Sequence, residues 1–150
     1  MKDSKLSSVL HVLLHMAHSG RPMTSDELAR MLGTNPVVVR KTLAGLRDAG
    51  FVVAGKGHGG GWAIAVDLRR VTLRDVYEAV GAPTVFAMGH RSEHPACLVE
   101  QAVNAALDDT LAAARALIDQ RLAAITLADL SADFDRRFRA HPHREHLHEH

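Results

Sequence analysis

The sequence predicts a mainly α fold with a small β-hairpin, and three observations carry that reading. Two short helices with independent start signals, Thr24-Ser-Asp-Glu27 and Asn35-Pro36, follow one another across a turn of about three residues, the spacing a helix-turn-helix requires. Behind them a loop with five glycines in seven residues, Gly55 to Gly61, separates two short apolar runs and reads as a hairpin. From Leu98 to Ile125 apolar residues recur in steps of three and four, a stripe longer than a small domain can cover. Together these describe a winged helix-turn-helix followed by a long dimerisation helix.

Taken in order, residues 4 to 18 place Leu6, Val9, Leu10, Leu13, Leu14 and Ala17 at helical spacing. His11 and His15 fall four apart on one face of that helix, the spacing of a helical metal site, although such histidines are more often solvated or core-edge groups. Gly20-Arg-Pro-Met23 turns the chain. Thr24 and Glu27 form a capping box for a helix over 25–32 that buries Leu28, Ala29, Met31 and Leu32. Asn35 is a favoured N-cap, and Pro36 at the first helical position loses only an N–H that has no partner there. The helix it starts puts Val39, Leu43 and Leu46 on one buried face and ends near Gly50.

Phe51-Val-Val-Ala54 and Trp62-Ala-Ile-Ala-Val66 are the arms of the hairpin. Thr72-Leu-Arg-Asp75 opens a helix through Val80, which Gly81-Ala-Pro83 stops. Residues 84–97 form the long irregular segment inside the chain and hold His90, His94 and Cys97. The stripe of the long helix is Val99, Val103, Leu107, Leu111, Ala114, Ile118, Leu122 and Ile125, spanning about 40 Å at the usual rise. Its simplest partner is the same helix of a second copy around a two-fold axis; the alternative is a bundle with the first and last helices. Thr126-Leu-Ala-Asp129 caps a final helix to about Phe138, and the tail 141–150, with five histidines in ten residues and no apolar period, is expected to be disordered. The chain thus divides into a DNA-binding domain (1–82), a sensor or linker loop (83–97), a helical dimerisation region (98–140) and the histidine-rich tail.

Composition narrows the classes of function. The 150 residues carry a net charge of only +1, but the halves differ: residues 1–70 hold 10 Lys and Arg against 5 Asp and Glu, and residues 71–150 hold 8 against 12. The basic half contains the candidate reading helix. No apolar run approaches a membrane span, and the polar start Met1-Lys-Asp-Ser-Lys-Leu-Ser-Ser lacks a signal-peptide core, so a soluble, cytoplasmic protein without a membrane partner is expected. A single cysteine excludes an intramolecular disulfide. There is no Ser/His/Asp arrangement and no His-Glu-x-x-His, so an enzyme is not expected.

The candidate DNA-binding residues follow from the helix over 35–47. Its N-terminal residues, Asn35, Val37, Arg40 and Lys41, would stand nearest the major groove, with Arg47 pairing with phosphate or an acid. Lys56, Gly57 and His58 at the hairpin tip would contact the backbone or a minor groove. A glycine-rich nucleotide loop is the rival reading of that tip, but such loops follow a strand and open a helix, whereas here a second strand begins.

The run Gly-Lys-Gly-His-Gly-Gly-Gly-Trp62, followed by Val71-Thr-Leu-Arg-Asp-Val-Tyr-Glu-Ala-Val80, resembles the signature of the Rrf-two family of bacterial transcription regulators. His94-Pro-Ala-Cys97 and Leu122 to Leu130 are most similar to its YwnA-like branch. The resemblance covers most of the chain. It implies a homodimer binding a partly palindromic double-stranded DNA operator and usually repressing. Family members that carry an iron–sulfur cluster use three cysteines in the loop and the start of the long helix; here only Cys97 stands there, and no cofactor is expected. The alternatives are an iron–sulfur or metal-dependent regulator using His90, His94 and Cys97 or the first-helix histidines, and an interaction adaptor that does not bind DNA. Cys97, at the junction of loop and long helix, is also the candidate sensor of oxidants or electrophiles, its alternative role being that of an inert buried thiol.

Overall fold

Capping residues decide where most of the helices begin. In the computed structural model, which describes residues 4–56, 60–86, 88–92 and 94–141, the elements are α1 (Lys5–Ser19), α2 (Ser25–Leu32), α3 (Pro36–Asp48), β1 (Val52–Ala54), β2 (Trp62–Ile64), α4 (Leu73–Ala79), α5 (Leu98–Ala123) and α6 (Leu127–Ala140). Thr24, Thr72 and Thr126 each form a complete capping box, with Glu27, Asp75 and Asp129 as the reciprocal acids. Asn35 caps α3 and Pro36 occupies its first turn. The fold is mainly helical with one antiparallel hairpin, as the sequence predicts.

The core lies where α1, α2, α3 and α4 converge. Val9, Val12, Leu13 and Met16 of α1 meet Leu28 and Ala29 of α2 and Val39, Leu43 and Leu46 of α3, with Phe51, Val52, Val71, Leu73 and Val76 closing the base. Met31 and Leu32 only fringe this cluster. The hairpin pairs Val52 with Ile64 and Ala54 with Trp62. It also gains a third edge: Met23 and Trp62 exchange backbone hydrogen bonds of 3.0 and 2.7 Å. The turn expected at Gly20–Met23 therefore ends in a bridge onto the wing.

The segments beyond the wing take different paths. The N-terminus of α6 is laid beside that of α4, the Leu127 N–H donating to the Val71 carbonyl at 2.8 Å and the Leu73 N–H to the Ile125 carbonyl at 2.9 Å. Leu127 is buried in the main core. Further along, α6 lies on α1, where His18 Nδ1 meets Asp135 Oδ1 at 3.2 Å and the His18 ring packs edge-on against Phe134. The start of α6 thus joins the winged-helix core, while α5 packs on α4, with Arg74 Nε 2.9 Å from Asp119 Oδ1 and Leu122 against the core.

On α5 the only buried residue among those described is Asn104. Leu98, Val99, Val103 and Leu117 are 78%, 72%, 50% and 57% exposed. Leu107, Leu111, Ala114, Ile118 and Leu122 are half-buried. The irregular segment before α5 is pinned to it: Asn104 Nδ2 donates to the Ser92 carbonyl at 3.1 Å, Gln101 Nε2 to the Pro95 carbonyl at 3.0 Å, and His90 Nε2 lies 2.8 Å from Asp108 Oδ1. No helix among the described residues is long and apolar enough to cross a membrane.

Candidate nucleic-acid interface

The turn between α2 and α3 is set by backbone chemistry. Gly33 adopts the left-handed conformation at φ 62°, which closes α2, and the Thr34 N–H donates to the Ala29 carbonyl at 3.0 Å. Asn35 Oδ1 then accepts from the Val37 N–H at 2.8 Å and starts α3. The start of α2 is held more firmly. The Glu27 N–H donates to Thr24 Oγ1 at 3.2 Å, the Thr24 N–H to Glu27 Oε2 at 2.7 Å, and Arg21 Nη2 to Glu27 Oε1 at 2.8 Å. The Arg21 hydrogen bond, followed by that from the Thr24 backbone, brings the Glu27 carboxyl from its ordinary 4.5 down to about 2.

With Val39, Leu43 and Leu46 facing the core, α3 turns Asn35, Val37, Val38, Arg40, Lys41 and Gly45 to solvent. Among the described residues no ion pair or hydrogen bond engages the side chain of Arg40 or of Lys41. Arg47 is different: its Nη2 lies 3.3 Å from Asp48 Oδ1 on the same helix. The candidates Asn35, Val37, Arg40 and Lys41 are therefore brought together on one exposed side. Lys56 is exposed just beyond β1. Gly57 and His58 lie outside the described residues.

Two contacts that position this surface were missed by the reading of the sequence. Trp62 Nε1 donates to Ser25 Oγ at 3.1 Å, tying the root of the wing to the first turn of α2. The Met23–Trp62 bridge does the same through the backbone. A tryptophan indole seeks an acceptor, which is a signal that a partner exists, but nothing local names one 37 residues away.

The second candidate region holds Cys97. Cys97 is exposed and is the N-cap of α5, without a side-chain capping hydrogen bond. His90 is occupied with Asp108, and His94 is exposed. On α1, His11 Nε2 and His15 Nε2 lie 2.9 Å apart. Among the described residues no group of three or more His, Cys, Asp or Glu side chains could hold a metal ion.

A model of the Rrf2 (Rrf-two) family, described as an iron-dependent transcriptional regulator, matches residues 3–133. YwnA of Bacillus subtilis (strain 168), a protein assigned as an HTH-type transcriptional regulator, is 28% identical over 130 residues, covering 87% of this chain and 96% of its own. Among solved structures, a protein assigned as a transcriptional regulator from Lactobacillus plantarum superposes with a TM-score of 0.73 at 26% identity, over 88% of this chain and 90% of its own. CymR, the global cysteine regulator of B. subtilis, superposes with a TM-score of 0.68 at 19% identity, over 88% of this chain and 96% of its own. That last likeness is one of fold.

Iron centres are commonly held by several thiolates or imidazoles. One cysteine, a histidine engaged by Asp108 and no three-ligand group among the described residues do not fit such a centre. The family assignment does not depend on iron: the match takes in both capped helices, the wing, all of α5 and the first half of α6, and the chain belongs to the Rrf2 family, whose members are transcriptional regulators rather than enzymes.

Proposed function

We propose that the chain is a homodimeric, sequence-specific DNA-binding repressor in which α3 enters the major groove of a double-stranded operator. The observation that carries this reading is the exposed side of α3, where Arg40 and Lys41 stand without a partner among the described residues beside the N-terminal turn. Cations placed there neutralise phosphate while the first turn meets base edges. Lys56, Gly57 and His58 contact the backbone or minor groove beside it. Repression, and the cytoplasmic setting such a regulator works in, are carried over from the family resemblance.

Replacing Arg40 and Lys41 together by Ala tests the reading. Operator affinity should collapse and lose part of its salt dependence, by about one unit of log–log slope per phosphate contact removed. Unchanged binding in an anisotropy titration would leave a protein-interaction adaptor as the better description.

The dimer is supported by the apolar residues that α5 leaves exposed, Leu98, Val99, Val103 and Leu117. A second copy related by a two-fold axis would cover them and set two α3 helices at half-site spacing. Glu at Val103 and Leu117 should give a folded monomer in sedimentation velocity and weaken operator binding; a persistent dimer would place the interface elsewhere.

Cys97 is the route we propose for a signal. Its thiol is exposed where the pinned segment 88–97 passes into α5. A quinone would take up the thiol by conjugate addition, an S–C bond forming at a ring carbon as the ring C=C bond opens and the thiol proton passing to the carbonyl oxygen to leave a hydroquinone thioether, and the bulk would strain that junction. Operator affinity should fall after quinone treatment in the wild type and not in Cys97→Ser. Equal losses in both proteins would remove Cys97 as sensor.

A further inference from the structure

The outward side of α3 mixes charged residues with apolar ones that a merely solvated helix does not call for. Val37 and Val38 in its first two turns are 61% and 54% exposed. β-Branched residues are weak helix formers, and neither contributes to the core here. Seven residues beyond Val38, on the same side, stands Gly45, where an added Cβ would meet nothing within 4 Å. Glycine weakens a helix interior, and no contact among the described residues calls for one at that place. Both features are explained by an external body that comes close to α3 and presents apolar groups to it.

The polar alternative for reading bases is restricted. Asparagine recognises adenine with its amide oxygen and nitrogen together. Asn35 has its Oδ1 engaged by the Val37 N–H at 2.8 Å, which fixes the amide on the helix start and leaves that oxygen one lone pair for a base. What the first turn of α3 itself, ahead of Arg40 and Lys41, offers a groove is the methyl groups of Val37 and Val38. The only apolar group on a base-pair edge in the major groove is the C5-methyl of thymine.

We infer that Val37 and Val38 read thymine C5-methyl groups, so that the operator half-site is specified at A·T pairs by apolar contact, with Arg40 and Lys41 supplying attraction to phosphate. The inference rests on the DNA-binding reading above. A protein partner is the other body that could cover two valines, but Lys41, one turn on from both valines, and Arg40, one turn on from Val37, are exposed and favour a polyanion.

The test starts from a randomised duplex pool, from which the full-length protein enriches a preferred duplex. That duplex is then synthesised with uracil in place of thymine, which keeps every hydrogen-bonding group and removes only the methyls. Wild-type affinity should fall about fourfold for each methyl contacted, the factor equivalent to about 0.8 kcal/mol per buried CH₂. The double variant Val37→Ala/Val38→Ala should bind the thymine and uracil duplexes alike. Both valines are exposed, so circular dichroism of the variant should match the wild type. Equal wild-type affinity for the two duplexes overturns the inference and leaves DNA binding standing, as does a double variant that still discriminates between them. Failure of any duplex to be enriched overturns the DNA-binding reading itself, and this inference with it.

Discussion

Met23 and Trp62 exchange both of their backbone hydrogen bonds, which places Met23, two residues before α2, as a third edge on the wing. Gly61 makes this pairing possible. A Cβ on Gly61 would lie 2.8 Å from Met23 backbone atoms, closer than real contacts allow, and backbone cannot swing aside as a flexible side chain can. Gly61→Ala should therefore destabilise the protein by about 1–3 kcal/mol, the usual range for forced overpacking. Urea unfolding measures it. A variant as stable as the wild type would show that the Met23 edge is not held in solution.

Glu27 makes stability at the start of α2 depend on pH. Its carboxyl is depressed from 4.5 to about 2, with the Arg21 hydrogen bond as the largest cause. A depressed carboxyl contributes stability that is fully present above its unfolded value, here 4.5, and is lost as pH falls through the folded value of about 2. Glu27→Gln keeps the capping-box acceptor and removes only the charge, so it should be less stable than wild type at neutral pH by about 0.5–1 kcal/mol, the scale of an exposed ion pair and of an acid in the first turn of a helix. The gap should close as pH drops across that window. Denaturant midpoints of the two proteins measured against pH provide the check, and a constant gap would mean that the charge of Glu27 is not what holds α2.

The features legible in the sequence were the local ones. Thr24 with Glu27, Thr72 with Asp75, Thr126 with Asp129 and Asn35 with Pro36 are signals four residues long or shorter, and the structure uses each of them as a cap. Val39, Leu43 and Leu46 announce the buried side of α3 by spacing alone, and all three are buried. Illegible were pairings between residues far apart in the chain. Met23 with Trp62, Trp62 with Ser25, and Thr72 with Thr126 depend on how the elements pack, and no periodicity encodes them. The same reason hid the docking of α6 on α1. Thr126 declared a helix start, but only Leu127 in the core and Asp135 at His18 say which helix it meets. In the candidate interface, Arg40 and Lys41 could be named from charge. The isolation of Gly45 on the exposed side could not, because a mid-helix glycine gains meaning only when the space around it is known.

Gly45 should separate stability from binding. A Cβ there would meet nothing within 4 Å, so Gly45→Ala introduces no clash within the chain. Alanine in place of glycine in a helix interior stabilises by roughly 0.5–1 kcal/mol. The thermal midpoint of Gly45→Ala should rise while its operator affinity falls, because the added methyl stands between α3 and the DNA. A variant that is both more stable and equally tight would show that the third turn of α3 stays clear of the duplex.

Asn104 holds the segment that carries Cys97. It is the buried residue of α5, 8% exposed, and its Nδ2 donates to the Ser92 carbonyl at 3.1 Å. Truncation to Ala removes the donor and leaves that carbonyl to find water, at a local cost of about 1–3 kcal/mol for a part-buried acceptor. The loss should be confined to the neighbourhood, because neither Ser92 nor Asn104 belongs to the core cluster that holds Val39, Leu43 and Leu46 of α3. Gln101 to Pro95 and His90 to Asp108 would still hold the segment at two other points. Local opening of this kind is read by amide hydrogen exchange rather than by a global midpoint. Asn104→Ala should speed exchange in the segment 88–98 and leave α2 and α3 at their wild-type rates. Faster exchange throughout α3 would instead make Asn104 part of one cooperative unit with the reading helix, and the segment before α5 could not then move without it.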